Sequence, residues 1–163
     1  MVVKATNPVD IQHLDIAYLG FFLGLRVNEL IRQRMERAGF AGVRDSHGYL
    51  IQHLIESDRS ITELARRMGI SQQAVSKTIA ELASLGVLEA SPAKDRRSKR
   101  VRLSRKGWEC VRFGRRVRKQ MEKRLTSAAG KRKYVQAKAT LVCCLHILGG
   151  LRAIKSRRVR QPD

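Results

Sequence analysis

Apolar residues recur every three or four positions along most of this chain, which is the period of an α-helix. The first periodic stretch follows residues 7–10, where an Asn-Pro-Val-Asp run supplies an N-cap, a first-turn proline and a first-turn acid. We therefore predict a long helix that starts near Pro8 and ends before Gly39 and Gly42. Its broad apolar face, which should pack against a partner, consists of Ile11, Leu14, Tyr18, Phe21, Phe22, Leu25, Leu30 and Ile31.

The middle of the chain predicts three shorter helices followed by two strands. Ser60 and Glu63 form a capping box that opens one helix, and Ser71 is the expected cap of the next. Glycines at 69 and 86 end these two helices. The predicted helices cover about 45–57, 61–68 and 72–85, and the strands cover 87–90 and 100–103. On the first of these helices we expect Tyr49, Leu50, His53, Leu54 and Ile55 to face inward.

The last third of the chain predicts two further helices. Ser104 opens the first, on which a narrow apolar stripe faces a basic side, and Gly130 separates it from a last helix over about 131–154. The fold class is therefore mainly α, an α+β winged helix with six helices and a two-stranded β-wing. Residues 156–163 form a basic tail that we expect to be flexible.

Positive charge is concentrated in the second half of the molecule. Residues 1–90 contain ten of the 34 Lys and Arg and ten of the 14 acidic residues, so their charges balance. Residues 91–163 therefore carry the whole net charge of +20. A polarised cationic segment calls for a polyanion, and nucleic acid is the commonest one in a cell. The apolar runs are too short to span a bilayer and the amino-terminal region is unlike a signal peptide, so we expect a cytoplasmic protein.

The helix pair over residues 61–85 has the spacing of a helix-turn-helix. Ala65 is small where the second helix crosses, Gly69 gives the turn its backbone freedom, and Val75 packs the second helix onto the first. Eight Lys or Arg between residues 94 and 106 then mark a basic wing. Such a hairpin of helices is only moderately specific by itself, but the wing that follows makes the pattern strong.

Together these segments resemble the MarR family of winged helix-turn-helix regulators. The resemblance is carried by residues 60–65, 69–76, 85–88, 95–98 and 101–107, and it is close over about 45–107. Its most specific parts are the Asp95-x-Arg97 wing signature and the Ser104-x-x-Gly107 motif. The resemblance implies a dimeric, sequence-specific regulator of transcription, expected to be a repressor that a small molecule releases from DNA.

The resemblance also implies which residues meet DNA. The recognition helix would enter the major groove through Gln72, Gln73, Ser76 and Lys77, and Ser71 at its start could hold a phosphate. Arg97 would reach into the minor groove while Asp95 holds the wing. The remaining cations of the wing would contact phosphates: Lys94, Arg96, Lys99 and Arg100. A solvated helix face is the alternative for Gln72, Gln73 and Ser76, and an ordinary surface charge is the alternative for Arg97.

The apolar faces of the first and last helices have no other layer in the chain to cover them. A two-fold dimer would bury these faces and set two recognition helices about one DNA turn apart, on a pseudo-palindromic operator. We therefore divide the chain into a dimerisation helix (1–44), a winged helix-turn-helix domain (45–104), C-terminal dimerisation helices (105–155) and the tail (156–163).

Members of the family commonly bind a small aromatic or anionic effector in a cleft between the dimer helices and the winged domain. Candidates to line such a cleft are His13, Tyr18, Phe22, Arg26, Tyr49, Trp108 and Arg112, for which ordinary core packing is the alternative. The four histidines show no metal spacing, although His47 and His53 could lie close together, and we expect no metal and no cofactor. The three cysteines are expected to be small buried residues, with a thiol sensor as the alternative.

Other functional classes compete with a specific regulator. The same fold could serve a strongly basic architectural protein of the nucleoid with little sequence specificity, because +20 would suffice for that role. An enzyme is not expected, since the sequence has no glycine-rich phosphate loop, paired carboxylates or metal cluster. Single-stranded RNA binding lacks support because aromatics, which stack bases, make up only 5% of the residues.

Overall fold

The computed structural model describes residues 9–92 and 100–156. The expected helix start at residue 8, the wing tip and the basic tail lie outside these ranges. Along the described chain the elements are α1 (Ile16–Arg37), α2 (Asp45–Leu54), β1 (Arg59–Ser60), α3 (Ile61–Met68), α4 (Gln72–Ser84), β2 (Leu88–Ala90), β3 (Arg100–Leu103), α5 (Arg105–Ala129), α6 (Lys131–Ile147) and α7 (Leu151–Ser156). The predicted mainly helical winged-helix fold is confirmed.

The first helix starts later than its sequence predicts. Asp10 caps only a short 3-10 turn, Ile11–His13, by accepting a hydrogen bond from the amide of Gln12. Leu14 is then extended, and Asp15 caps α1 by accepting from the amide of Tyr18 at 2.8 Å. The long helix therefore begins at Ile16 and does not include residues 9–15 as predicted, because Asp15, five residues after Asp10, provides the cap that it uses.

Two further differences concern the number of elements. The predicted last helix is divided into α6 and α7 by Gly149, which has a φ of +74°, so the described residues form seven helices rather than six. The predicted pair of strands is joined by β1, giving an antiparallel sheet in the order β1-β3-β2. Arg59 and Ser60 of β1 pair with Val101 and Arg100 of β3.

The core has two parts. The larger part lies within the winged helix and packs α2, α3, α4 and the strands around Leu50, Leu64, Val75, Leu82 and Val87, all fully buried. The smaller part joins α1 to α5 through Ile31, Met35, Cys110 and Val117. None of the helices in the described ranges has the length and apolar character needed to cross a bilayer.

The cysteines occupy different environments. Cys110 is buried between α1 and α5, and this burial raises the pKa of its thiol, as expected for a small core residue. Cys143 is exposed on α6 in the single chain and Cys144 is half-buried, so the predicted burial does not hold for Cys143. Cys143 is exposed because the apolar residues around it on α6 are not covered by another described part of the same chain.

Ser104 and Gly107 fix the start of α5 against the base of the wing. The Ser104 hydroxyl accepts from the Gly107 amide at 3.0 Å and donates to the Gly86 carbonyl at 2.6 Å. A Cβ at position 107 would lie under 3.0 Å from the Val87 carbonyl oxygen, so only glycine allows this approach. The Ser-x-x-Gly spacing in the sequence therefore reports a close crossing between a helix and a strand end.

Candidate nucleic-acid interface

The buried face of α4 determines which of its residues meet solvent. Val75 and Leu82 are fully buried against α2 and α3, which fixes the rotation of the helix about its axis. Gly69, with a φ of +68°, provides the left-handed turn that sets α4 across α3. As a result the predicted contact residues Ser71, Gln72, Gln73, Ser76 and Lys77 are all exposed, along the first half of the helix.

The start of α4 is a suitable site for a negatively charged group. The Ser71 hydroxyl accepts from the amide of Ala74 at 3.2 Å, and the first amides of the helix have no helical partner. A groove of about 790 Å³ runs between α3 and this end of α4, lined by Thr62, Ala65, Arg66, Gly69, Ile70, Ser71, Gln72 and Ala74. Its arginine, Arg66, was not predicted as a site residue. Its position next to the small Ala65, on the exposed side of α3, was the available signal.

The wing strands are attached firmly to α3. Arg100 lies 3.2 Å from the carboxylate of Glu63 and donates to the Asp58 carbonyl at 2.6 Å. The Ser60 amide donates to Glu63 and holds the pKa of that carboxyl below its ordinary value, with Arg100 contributing. Arg100, predicted as a phosphate contact, therefore also ties the wing to α3. The predicted Lys94, Asp95, Arg96, Arg97 and Lys99 lie outside the described residues.

A polar cluster joins α2 to the C-terminal half of α4. His47 of α2, which is only 2% exposed, has its Nε2 3.0 Å from Glu81 Oε2 of α4. Arg44 binds the same carboxylate. These hydrogen bonds, first from His47 and then from Arg44, lower the pKa of the Glu81 carboxyl. His53 lies elsewhere on α2 and is also buried, and its carbonyl accepts from the Nε of Arg59 at 3.0 Å.

A cavity of about 480 Å³ lies between α1, α2 and α5, where an effector cleft was expected. Of the seven predicted lining residues, all of which lie in the described part of the chain, only Tyr49 borders it. Tyr49 is 41% exposed, so its predicted inward orientation is wrong. The cavity is also bordered by residues that the sequence did not indicate, among them Asn28, Arg32, Arg115 and Arg118.

The other predicted effector residues are scattered. His13 is exposed and pairs with Asp10 at 2.8 Å, and Tyr18 and Phe22 pack ring to ring with centroids 4.8 Å apart on the exposed part of α1. Arg26 and Arg112 are exposed, and Trp108 packs against the core of the winged helix. The structure therefore does not bring these seven residues together in one chain.

Comparison with known proteins agrees with this geometry. Residues 41–98 match the sequence model of the MarR family, and this segment covers α2 to the wing. No curated protein sequence was found to match the chain.

Solved structures match over most of the chain. MepR, a transcription regulator of the Staphylococcus aureus multidrug efflux pump MepA, is 18% identical with a TM-score of 0.67, over 83% of this chain and 99% of that one. The MepR–DNA complex of S. aureus is 18% identical with a TM-score of 0.59, over 82% and 96%. A cysteine-to-serine mutant of MarR from Escherichia coli is 16% identical with a TM-score of 0.61, over 81% and 97%.

Proposed function

We propose that this chain, a MarR-family winged-helix protein, is a transcription regulator that binds double-stranded DNA. The observation that carries the proposal is the polar, exposed first half of α4, held in position by the burial of Val75 and Leu82 on its opposite face. A helix presented in this way fits the major groove. The similar fold of MepR, solved in complex with DNA, supports the same conclusion.

Each exposed group on α4 has a suitable role. The amides of Gln72 and Gln73 can address adenine through two hydrogen bonds, which is worth about 1–3 kcal/mol of discrimination per good contact. Ser71 and the free amides beside it suit a phosphate oxygen. Arg66, which borders the groove between α3 and α4, and the exposed Lys77 of α4 add positive charge, so that phosphate contacts would fix the register in which the glutamines read bases.

We further propose that the chain acts as a two-fold dimer. Several large apolar side chains near the start of α1 are about half exposed: Tyr18, Phe21, Phe22, Leu23 and Leu25. On α6 and just after it, Val142 is 50% exposed and Leu148 is 77% exposed. Large apolar side chains exposed in such number on two helices favour an interface, and pairing of these faces between two copies would cover them. Two recognition helices would then read a pseudo-palindromic operator.

Repression and release by an effector complete the proposal. A dimer that covers its operator would repress transcription, and a ligand that alters the spacing of the two winged helices would release the dimer from DNA. The cavity between α1, α2 and α5 is suited to a small aromatic anion, because Tyr49 and four arginines (Arg32, Arg44, Arg115 and Arg118) border it. The protein would act in the cytoplasm, on nucleoid DNA.

The strong positive charge of residues 91–163 favours one other function, an architectural DNA-coating protein. Selection from a random duplex library, followed by salt titrations of the best sequence and of its scrambled version, distinguishes the two. The regulator retains a specific-to-random affinity ratio well above tenfold near physiological salt, and its selected motif is symmetric. A ratio below ten, with both titrations equally steep, supports the architectural role instead.

A further inference from the structure

A second cavity, of about 260 Å³, lies where the end of α1 packs on the middle of α5. Three arginines border it: Arg34 and Arg37 from the last turn of α1, and Arg116 from α5. Phe113 and Gln120 form part of its wall. We refer to it as the three-arginine cavity, and it shares no lining residue with the cavity between α1, α2 and α5.

The acids of α1 leave these arginines uncompensated. Glu29 and Glu36 both bind Arg32, at 2.9 Å and 2.6 Å, on the side of the helix that faces the other cavity. Within the ranges that the structure describes, no carboxylate lies within 4.0 Å of a guanidinium nitrogen of Arg34, Arg37 or Arg116. In the described part of the chain, these three like charges around one small space have no carboxylate in contact, and they repel one another at low ionic strength.

The helix dipole explains only part of this arrangement. Cations in the last turn of a helix are favoured by its negative end, which accounts for Arg34 and Arg37. Arg116 belongs to the middle of α5, far from the ends of its own helix, although it borders the same cavity as the C-terminal end of α1. Its guanidinium carbon lies 5.5 Å from the ring centroid of Phe113, which is in turn 5.8 Å from the Phe40 ring. Stacking on a packed ring holds this cation in position before any ligand arrives.

We propose that the three-arginine cavity binds a phosphate-type oxyanion that carries two or more negative charges. Guanidinium groups pair with phosphate oxygens through two parallel hydrogen bonds, and three of them match a dianion or diphosphate better than a monocarboxylate. The volume is below the range of drug-sized pockets, so the group recognised is small. Arg116 lies about 17 Å along α5 from the start of that helix at the base of the wing. The three-arginine cavity shares no lining residue with the groove at the start of α4.

Pyrophosphate is the probe that tests this proposal on the intact protein. Thermal unfolding is followed during a pyrophosphate titration in which sodium chloride keeps the ionic strength constant. We expect the unfolding midpoint to rise with pyrophosphate in the unmodified protein, and the apparent Kd to increase at least tenfold in Arg116→Gln. Arg124→Gln removes the same charge from an exposed position on the same helix that lines neither cavity, and it should change the Kd less than twofold.

Two results would overturn the proposal. One is stabilisation by pyrophosphate no greater than that by chloride at equal ionic strength. The other is an equal loss of binding in Arg116→Gln and Arg124→Gln, which would mean that the +20 charge attracts anions without a site. Competition with duplex DNA identifies the source of the phosphate. If pyrophosphate displaces DNA from the unmodified protein but not from Arg116→Gln, the cavity binds a DNA phosphate. If the protein binds pyrophosphate and DNA at the same time, the cavity binds a free phosphate ester.

Discussion

His47 Nε2 lies 3.0 Å from Glu81 Oε2, and this contact joins α2 to α4. The other ring nitrogen of His47 accepts the amide hydrogen of Arg44 at 3.2 Å. Nδ1 is therefore unprotonated, and the imidazole proton on Nε2 is donated to the carboxylate. The hydrogen bond ties the C-terminal half of α4 to α2.

Replacing this histidine tests how strongly the contact stabilises the fold. His47→Ala removes a buried hydrogen bond and leaves a space in the core, so we expect the free energy of unfolding to fall by about 1–3 kcal/mol. Urea denaturation measures the change. His13→Ala is the matched control, because His13 is exposed, and its effect should stay within about 0.5 kcal/mol. Equal effects of the two variants would mean that His47 does not anchor α4.

The same cluster predicts a dependence of stability on pH. Hydrogen bonds from His47 and Arg44 hold the pKa of Glu81 below its ordinary value of 4.5. Since the folded state binds this proton more weakly than the unfolded state, the stabilisation is present above pH 4.5 and is lost as the pH falls through the lowered pKa. In Glu81→Gln the unfolding free energy should fall less steeply with acidification below pH 4.5. Parallel curves for the two proteins would contradict this prediction.

The glutamines of α4 are expected to determine specificity. Gln72→Ala combined with Gln73→Ala should reduce the affinity for the selected operator by at least about tenfold, and leave the affinity for random duplex nearly unchanged. Fluorescence anisotropy with both duplexes measures the two affinities. Ser84→Ala, at the exposed far end of the same helix, should change neither affinity. An equal loss on both duplexes would show that the glutamines do not read bases.

Two glycines of α5 should respond in opposite directions to the same substitution. Gly107→Ala would drive a methyl group into the Val87 carbonyl, and we expect it to destabilise the fold by about 1–3 kcal/mol. At Gly114 the added carbon would meet only the Met35 sulfur at 3.8 Å, an ordinary contact. Gly114→Ala should therefore be neutral, or stabilise α5 by up to about 1 kcal/mol. Thermal unfolding of both variants measures these effects, and a tolerated Gly107→Ala would refute the close crossing.

Local signals made most of the winged helix predictable. Ser60, Ser71 and Ser104 each cap the predicted helix, and Gly69 ends α3 in the left-handed conformation. These assignments succeed because a cap or a glycine acts within a few residues of itself. The exposure of the α4 residues followed in the same way, since the burial of Val75 fixes the face on which they lie.

Three of the misses share a cause, which is dependence on distant parts of the chain. The strand β1 has only two residues and forms because β3 pairs with it. The Glu81 partner of His47 is 34 residues away, and no local pattern announces that contact. Chemical type along the sequence does not identify the residues that line the effector cavity, because its borders depend on how α1, α2 and α5 cross.

The 25 residues of α5 form one unbroken helix, about 37 Å long, that touches β3 at its start and α1 and α6 further along. The start of α5 is fixed to the base of the wing by Ser104 and by the close contact between Gly107 and Val87. A tilt of about 5° around this contact would displace the other end of α5, about 33 Å away, by about 3 Å. Any change in the tilt of α5 would therefore reorient the winged helix relative to α1 and α6.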